Sequence, residues 1–210
     1  VTRPTDGLSL FYTEFDRRFI EVREIDKMGR KAVDSNQIFI DGLPVPAGDR
    51  IGEEGKGFEY MLHGFNPERI LIAAEAVGLG RAALARATRY ANERNVFNRP
   101  IGQNQAIQHP LAERWMALEA ANLMMLKAAT LYDGGKACGA EANAAKYLAG
   151  EAGFRACETA VMTHGGMGYA KEFHVERYLR GSLIPPIGPV SPELVLCYVA
   201  ERVLGLPRSY

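Results

Sequence analysis

The first quarter of the chain carries short stretches in which apolar residues alternate with polar ones or run together, as they do in β-strands. These stretches are Leu8–Tyr12, Ile20–Val22 and Gln37–Ile40, and the turn residues Asp41–Gly42 follow the last of them. The pattern predicts several antiparallel strands, which are too few and too short to enclose a core by themselves.

From Gly55 onward the hydrophobic period changes to about 3.6 residues, the repeat of an α-helix. The first predicted helix runs from Gly55 to Arg94, and its apolar and small residues recur at steps of three, four or seven: Ile70, Ala73, Ala74, Val77, Leu84, Ala87 and Ala91. Further helices are predicted at Gln105–Tyr132, Ala140–His164 and Glu193–Leu204. On the second, the predicted apolar stripe is Ile107, Leu111, Trp115, Leu118, Asn122, Met125, Ala129 and Tyr132, apolar in all but Asn122.

Long helices joined by short loops are typical of an antiparallel bundle. The sequence therefore predicts a mainly α protein, with an antiparallel four-helix bundle preceded by a partial antiparallel β-domain. We place the β-domain at residues 1–54 and the bundle at residues 55–210.

Composition narrows the possible functions. The 210 residues are 47% hydrophobic and 24% charged with a formal net charge of zero, so no excess of positive charge favours nucleic acid or an anionic membrane as partner. No membrane span or export signal is expected. The three cysteines form no CxxC pair and indicate a reducing compartment, the cytoplasm or, in a eukaryote, the mitochondrial matrix. The chain begins with Val1 rather than methionine, and we expect the beginning of a larger protein to be missing.

Glu68 is the first candidate for chemistry. It follows Asn66–Pro67, where proline makes the backbone irregular, as a helix start with Asn66 as cap or as a kink in a longer helix. A carboxylate shielded from water there would have a raised pKa, as a proton-abstracting base needs. The alternative is an ordinary first-turn acid that favours the helix dipole or pairs with Arg69 or Arg81.

Three other stretches offer chemistry, each with a plain structural alternative. In Glu93–Gly102, two arginines beside an aromatic can bind a phosphate and stack a flat ring, or they can simply end a helix. In His164–Tyr169, glycines allow a ligand to approach the backbone, or they stop a helix. In Ile184–Glu193, four prolines make a rigid loop, with Ser191 as a possible helix cap.

Several catalytic classes are excluded by missing motifs. His164–Gly166 is similar to the glycine-rich oxyanion strand of esterases, but the chain has no GxSxG nucleophile turn. It also has no HExxH motif, no P-loop, no Rossmann fingerprint and no cluster spaced for a metal, so no metal site is predicted.

Taken together and in this order, the stretches resemble the C-terminal half of the acyl-CoA dehydrogenase family over essentially the whole chain. The matching segments are Lys27–Gly29, Val45–Ala47, Ile51–Phe58, Glu93–Phe97 (the family's ERxxF), Asn104–Gln105 and Gly165–Tyr169 (its GGxGY).

The resemblance implies a homotetramer, a dimer of dimers, with flavin adenine dinucleotide (FAD) between subunits. Arg94 would lie near the phosphates, and Gly165–Gly166 near the neighbour's dinucleotide. It assigns cofactor contacts to Arg94, Asn95, Phe97, Gln105, Met162, Gly165, Gly166, Ser191 and Glu193. The implied partners are an acyl-CoA substrate and an electron-transfer flavoprotein.

Two departures from the family pattern matter. Most of the family has its catalytic glutamate in a YEGT motif, but here Gly188–Ser191 stands there and Pro189 replaces the glutamate. A minority, including isovaleryl-CoA and long-chain acyl-CoA dehydrogenases, has the base in an xxER motif on the first long helix, and Asn66–Arg69 is similar to it. The second departure is Met162, where a flavin-contacting glutamine is common.

The resemblance then implies that Glu68 takes the α-proton of an acyl-CoA thioester while the β-hydride passes to the flavin, which leaves a trans-2-enoyl-CoA. Backbone near Val190 would bind the thioester oxygen, and Asn66 and Arg69 would face the CoA portion. A base on this helix favours branched or longer acyl groups.

Two rival functions remain open at this stage. The first is a helical scaffold or assembly module without catalysis, which Pro189 favours and Glu68 opposes. The second is a nitroalkane or acyl-CoA oxidase-like relative that passes electrons to oxygen. If these 210 residues were the whole molecule, we would expect poor flavin retention and no turnover.

Overall fold

The computed structural model describes residues 7–209, which form two compact units divided between Phe65 and Asn66. The start of the chain at Val1 therefore lies outside the described residues. The mainly α fold class is confirmed, because helices dominate and the strands are few and short. The domain boundary between residues 54 and 55 stays a prediction.

The first unit contains two antiparallel strand pairs. Strand β1 (Leu10–Phe11) pairs with β4 (Arg50–Ile51), and β2 (Ile20–Glu24) pairs with β3 (Asn36–Ile40). In the longer pair Ile20 faces Ile40 and Glu24 faces Asn36. The three predicted strand stretches are therefore confirmed in place, whereas β4 was not predicted.

Helix α1 (Gly57–Glu93) is uninterrupted and contains Pro67. Of the two alternatives for Asn66–Pro67, the structure has the position inside a longer helix, so Asn66 is not a cap. Proline removes one backbone donor, which frees the carbonyl one turn earlier from its usual partner. Glu68 is consequently a residue of the helix interior and not of its first turn.

Helices α2 (Gln105–Asp133) and α3 (Gly139–His164) complete the long elements of the second unit, close to their predicted bounds. An Arg81–Glu119 ion pair with 2.5 Å between Nη2 and Oε1 joins α1 to α2. The short connection from α2 to α3 makes those two antiparallel. Helix α3 therefore runs parallel to α1, and the core between the three is largely alanine.

The close packing of α1 and α3 depends on glycine. A Cβ atom on Gly153 would lie 2.6 Å from the Ala76 carbonyl oxygen, and one on Gly80 would lie 3.2 Å from the Gly153 Cα. Ala76 and Gly80 of α1 therefore allow close approach by Gly153 of α3.

The apolar stripe predicted on α2 is partly wrong. Leu118 is fully buried as expected, but Trp115 is 59% exposed and Tyr132 is 45% exposed. The buried positions include Ala121 and Ala128 instead. Because the facing helices present alanine and glycine, the closest positions on α2 are taken by small residues, and large side chains lie to the side.

The remainder of the chain is a series of short helices: α4 (Val175–Gly181), α5 (Ile184–Ile187) and α6 (Pro192–Tyr198), with a π-helical turn at Val199–Val203. The predicted fourth helix is confirmed in place. The proline-rich loop predicted at residues 184–193 is in part helical, because α5 occupies its first four residues.

The segment Val175–Val203 contains an 18-residue window with a mean hydropathy of 1.4, so by length and composition it is a candidate membrane span. This corrects the expectation that the sequence holds none. The segment is broken at Ser182–Leu183 and again at Gly188–Ser191. A span in lipid must satisfy its backbone hydrogen bonds internally, so these breaks argue against one. The absence of a membrane span stays a prediction.

Cys157 and Cys138 are buried and Cys197 is half-buried, and all three are free thiols. Burial raises the pKa of the Cys157 thiol to about 11, and a hydrogen bond with Ser182 acts in the opposite direction. Burial also raises the pKa of Cys138. We expected all three cysteines to be small buried apolar residues; Cys138 and Cys157 agree with this expectation, whereas Cys197 is only half-buried.

The substitution Gly153→Ala should lower the free energy of unfolding by about 1–3 kcal/mol, because its methyl group forces α1 and α3 apart. Gly78→Ala is the matched control, since Gly78 is exposed on α1 with no atom within 4 Å of the added Cβ. That control should gain up to about 1 kcal/mol from helix propensity. Urea unfolding measures both, and equal stabilities would contradict the packing described.

Because the pKa of Cys157 is raised in the folded state, the free energy of unfolding should depend on pH in the alkaline range. The folded state keeps the Cys157 thiol protonated. The contribution of the thiol to stability is therefore complete below the unfolded pKa of about 8.5, and it is lost as pH rises toward about 11. We expect the free energy of unfolding to fall across this window less steeply in Cys157→Ala than in the wild type. Identical slopes in the two proteins would contradict the assignment.

Candidate functional site

The first candidate group lies on α1, at Asn66, Glu68 and Arg69. Arg69 is half-buried, and its Nη1 donates to Asn66 Oδ1 at 3.3 Å. Burial lowers the pKa of Arg69, while Tyr198 and Glu68 act in the opposite direction. Glu68 itself is exposed. The shielding from water expected for Glu68 is therefore not supplied by the described residues.

The second candidate group lies just before α6 and in its first turn, at Val190, Ser191 and Glu193. Ser191 caps α6, because its Oγ accepts a hydrogen bond from the Leu194 amide at 3.4 Å. Glu193 is exposed in the first turn, and its pKa is lowered by a backbone hydrogen bond and by Ser191. Ser191 therefore has the capping role that the sequence offered as an alternative, and the predicted cofactor contacts of Ser191 and Glu193 stay predictions.

Lys146 connects these two groups. It lies on α3 with 1% of its side chain exposed, and its Nζ donates to the Pro186 carbonyl oxygen at 2.7 Å and to the Val190 carbonyl oxygen. Its pKa is lowered by burial and also by nearby Arg69. The predicted substrate-binding residues Asn66, Arg69 and Val190 are thus brought together.

Lys146 was missed by the sequence analysis. It stands in an alanine-rich helix, where lysine is ordinary, and its spacing matches no motif. A lysine is almost never fully buried unless it is paired, so the only available signal was its place among apolar neighbours such as Ala145 and Ala149.

The third candidate group follows α1 and forms a hairpin that the sequence did not predict. Strand β5 (Asn95–Val96) pairs with β6 (Arg99–Pro100), and the turn residues Phe97 and Asn98 have φ of 53° and 63°. Positive φ is uncommon for a bulky residue. The Phe97 side chain is 94% exposed, so the turn presents an aromatic ring to solvent beside exposed Arg94.

The hairpin leads directly into α2. Arg99 Nη2 donates to Asn104 Oδ1 at 2.8 Å, and the Asn104 side-chain amide donates to the Ile101 carbonyl oxygen at 2.9 Å. Gln105, the first residue of α2, is exposed. These bonds hold the hairpin against the start of α2, so Arg94, Phe97 and Gln105 belong to one local surface.

The fourth candidate group ends α3. Gly165 closes the helix with φ of 58°, and a 3-10 helix covers Gly165–Tyr169. Met162 is 75% exposed and Tyr169 is 90% exposed. A Cβ on Gly168 would lie 2.3 Å from the Val161 carbonyl oxygen, whereas one on Gly166 would meet no atom within 4 Å. Gly168 is therefore required by packing, whereas Gly166 is exposed with open space around it.

An aromatic contact joins the ends of α1 and α3. His164 stacks on Tyr90 with ring centroids 4.3 Å apart, and Phe173 meets both rings edge-on. The His164 Nδ1 bonds to the Ala160 carbonyl oxygen at 2.7 Å. The hairpin group and the Gly165–Gly166 group consequently lie at the same end of the bundle.

Comparison with known proteins agrees with this arrangement. The family model for the acyl-CoA dehydrogenase C-terminal domain matches residues 55–204. The chain belongs to the acyl-CoA dehydrogenase family. It is 42% identical over 209 residues to acyl-CoA dehydrogenase fadE12 of Mycobacterium bovis, with 99% of this chain and 51% of that protein covered.

Solved structures superpose closely on the chain. Butyryl-CoA dehydrogenase of Megasphaera elsdenii has a TM-score of 0.92 at 32% identity, covering 97% of this chain and 54% of that one. An FAD complex of PigA has a TM-score of 0.90 at 25% identity, covering 96% and 53%. The chain thus spans about half the length of the relatives it matches. Members of the acyl-CoA dehydrogenase family are FAD-dependent flavoproteins.

Within this chain, the candidate residues occupy two levels of the bundle. Lys146 and His164 are 18 positions apart on α3, which corresponds to about 27 Å along the helix. Measured along the axis of α3, one set of candidate residues lies beside Lys146: Val190, Ser191 and Glu193. The other set lies beside His164: Gly165 and Gly166. One copy of the chain does not bring the two sets together.

The substitution Gly168→Ala should lower the free energy of unfolding by about 1–3 kcal/mol, because the added methyl group overlaps backbone atoms of Val161. Gly166→Ala in the same 3-10 helix is the control and should change stability by less than about 0.5 kcal/mol. Thermal and urea unfolding compare the two. A larger loss for Gly166→Ala would contradict the geometry of this turn.

Proposed function

We propose that the protein is an FAD-dependent acyl-CoA dehydrogenase that converts an acyl-CoA thioester to the trans-2-enoyl-CoA, with Glu68 as the base. The observation that carries this proposal is a chain of contacts: Arg69, which follows Glu68 and bonds Asn66, lies near buried Lys146, and Lys146 binds the Val190 carbonyl. The 42% identity to a protein named acyl-CoA dehydrogenase supports the reaction class.

Glu68 is the acid that this site offers for removal of the α-proton. The other position at which the family carries a base is Pro189 here, and proline has neither a carboxylate nor an amide hydrogen. Glu68 is exposed among the described residues, so exclusion of water from the carboxylate has to come from the bound substrate and flavin.

Two groups are suited to hold the thioester and its CoA portion. The Val190 amide donates to none of the residues 7–209, so it is available for a hydrogen bond to the thioester oxygen. Arg69, with Asn66 as its hydrogen-bond partner, supplies positive charge close to Glu68, where the CoA portion would approach.

The exposed residues at the other end of the bundle fit the dinucleotide of FAD. Phe97 offers a ring for stacking, Arg94 offers a cation for phosphate, and the Gly165–Gly166 backbone leaves room for close approach. Asn95, Gln105 and Met162 are exposed on the same end and complete the proposed contacts. When bound, FAD supplies the acceptor for the hydride that leaves the β-carbon.

The separation of the two site levels supports a cofactor shared between subunits. Because Ser191 and Glu193 lie about 27 Å along α3 from Gly165, contacts to one flavin from both sets require two copies. Helix α2 also presents exposed large apolar side chains suited to a second copy, and a homotetramer is the assembly we propose. These side chains are Trp115, Met116, Leu123 and Leu126.

The remaining features of the proposal rest on the family. We propose an electron-transfer flavoprotein as the electron acceptor, a branched or longer acyl group as the substrate and the cytoplasm as the location. A non-catalytic scaffold and an oxidase that passes electrons to oxygen are the alternatives that the experiment separates.

The test is Glu68→Gln in the whole protein, with bleaching of flavin absorbance measured over a panel of straight and branched acyl-CoA thioesters. We expect flavin reduction to slow by about 100- to 10,000-fold, because the general base is lost. The stability should change by less than about 0.5 kcal/mol, since Glu68 is exposed. Glu75→Gln, an exposed acid two turns further along α1, is the control.

An undiminished rate in Glu68→Gln would remove Glu68 as the base. Failure of every acyl-CoA to bleach the wild-type flavin would leave the scaffold function standing. Release of hydrogen peroxide in step with turnover would assign the protein to the oxidase class instead.

A further inference from the structure

The segment between α5 and α6 has little secondary structure to hold it in place. Residues Gly188–Ser191 lie outside any helix or strand, yet Val190 in this segment offers the amide proposed for the thioester oxygen. An amide that acts as an oxyanion donor has to be aimed within a few tenths of an ångström. Some group outside the segment must therefore fix it.

Lys146 is that group on the side of α3. Its Nζ donates to two carbonyls, those of Pro186 and Val190, which lie on either side of Gly188–Pro189. A buried ammonium requires hydrogen-bond partners, and a lysine has three donors and no acceptor. The two carbonyl acceptors are four residues apart in the chain. Because the same ammonium group binds both, Lys146 fixes their positions relative to each other.

Gly150 adds a second contact one turn further along α3. A Cβ at this position would lie 3.2 Å from the Pro186 nitrogen and 3.3 Å from the Pro185 carbonyl carbon. The backbone of α5 therefore rests directly on the backbone of α3. Gly150 therefore limits how far the segment lies from α3. The two hydrogen bonds of Lys146 fix the orientation of the segment's carbonyl groups.

Lys146 also faces the residues of α1. Arg69 acts on it electrostatically and disfavours its charge, whereas Glu193 and Glu151 favour that charge. The ammonium thus lies between the α1 group that carries Glu68 and the segment that carries the Val190 amide. The Val190 carbonyl is bound by Lys146, whereas the Val190 N–H has no partner among residues 7–209.

We propose that Lys146 is a positioning residue that aims the Val190 amide at the thioester oxygen by holding the Pro186 and Val190 carbonyls, an inference that rests on the proposed dehydrogenase function. Lys146 does not contact the substrate, because its side chain is fully enclosed. Its contribution is realised in the transition state, when negative charge grows on the thioester oxygen. It should therefore affect kcat more than KM.

The test compares Lys146→Met with Lys146→Arg in the whole flavin-loaded protein. Methionine has a similar length and no donor, and we expect kcat for flavin reduction by acyl-CoA to fall about 10- to 100-fold, as for a misplaced reacting group. KM should change less than threefold. Arginine keeps charge and donors and should restore part of kcat. Lys136→Met, at an exposed lysine beyond α2, should leave both constants unchanged.

Hydrogen exchange read by mass spectrometry gives a measure that is independent of activity. In Lys146→Met, amides of residues 187–194 should exchange at least tenfold faster, while those in the middle of α1 keep their protection. If Lys146→Met does not fold, Gly150→Ala replaces it, because its methyl group displaces the segment without removing the ammonium. It should lower kcat with little change in KM.

The outcomes separate the two proposals. A wild-type protein whose flavin no acyl-CoA reduces overturns the dehydrogenase function, and the positioning role falls with it. An active wild type with unchanged kcat and unchanged exchange in Lys146→Met overturns the role of Lys146 alone. Faster exchange with unchanged kcat also overturns it, because Lys146 would then hold the segment without serving the reaction.

Discussion

The backbone contact between Gly153 of α3 and Ala76 of α1 sets the register of the helical unit. Since neither position carries more than a methyl group, the two parallel helices approach more closely than larger side chains would allow. Their alignment is thereby fixed along their length. One consequence is that Arg69 lies near Lys146. Another is that Tyr90, 21 residues after Arg69, stacks on His164, 18 residues after Lys146.

Periodicity predicted the helices well because it reports which positions are buried along a regular repeat. In the structure α2 and α3 end at Gly134 and Gly165, within two residues of the predicted ends. The same reasoning failed at Trp115, because the pattern of apolar residues does not say how closely a neighbour approaches. Where alanine faces alanine, the large residue is left outside the contact.

The site was predicted in part for a similar reason. Asn66, Glu68 and Arg69 were identified by their resemblance to a motif, and the structure brings two of them into contact. Lys146 belongs to no motif, and its importance arises only from the carbonyls that reach it from 40 and 44 positions away. The hairpin at Phe97 was missed because its turn contains no glycine, although both turn residues have positive φ.

The proline at position 189 changes what the segment between α5 and α6 can do. It offers no carboxylate and no amide hydrogen there, so the segment can contribute only through its backbone on either side. In the proposed reaction the acid and the amide donor therefore come from separate elements, α1 for Glu68 and the Val190 segment for the amide. Two groups on separate elements keep a fixed geometry only if both are held to a common support. Helix α3 is that support, since Gly153 packs it on α1 and Lys146 binds the segment to it.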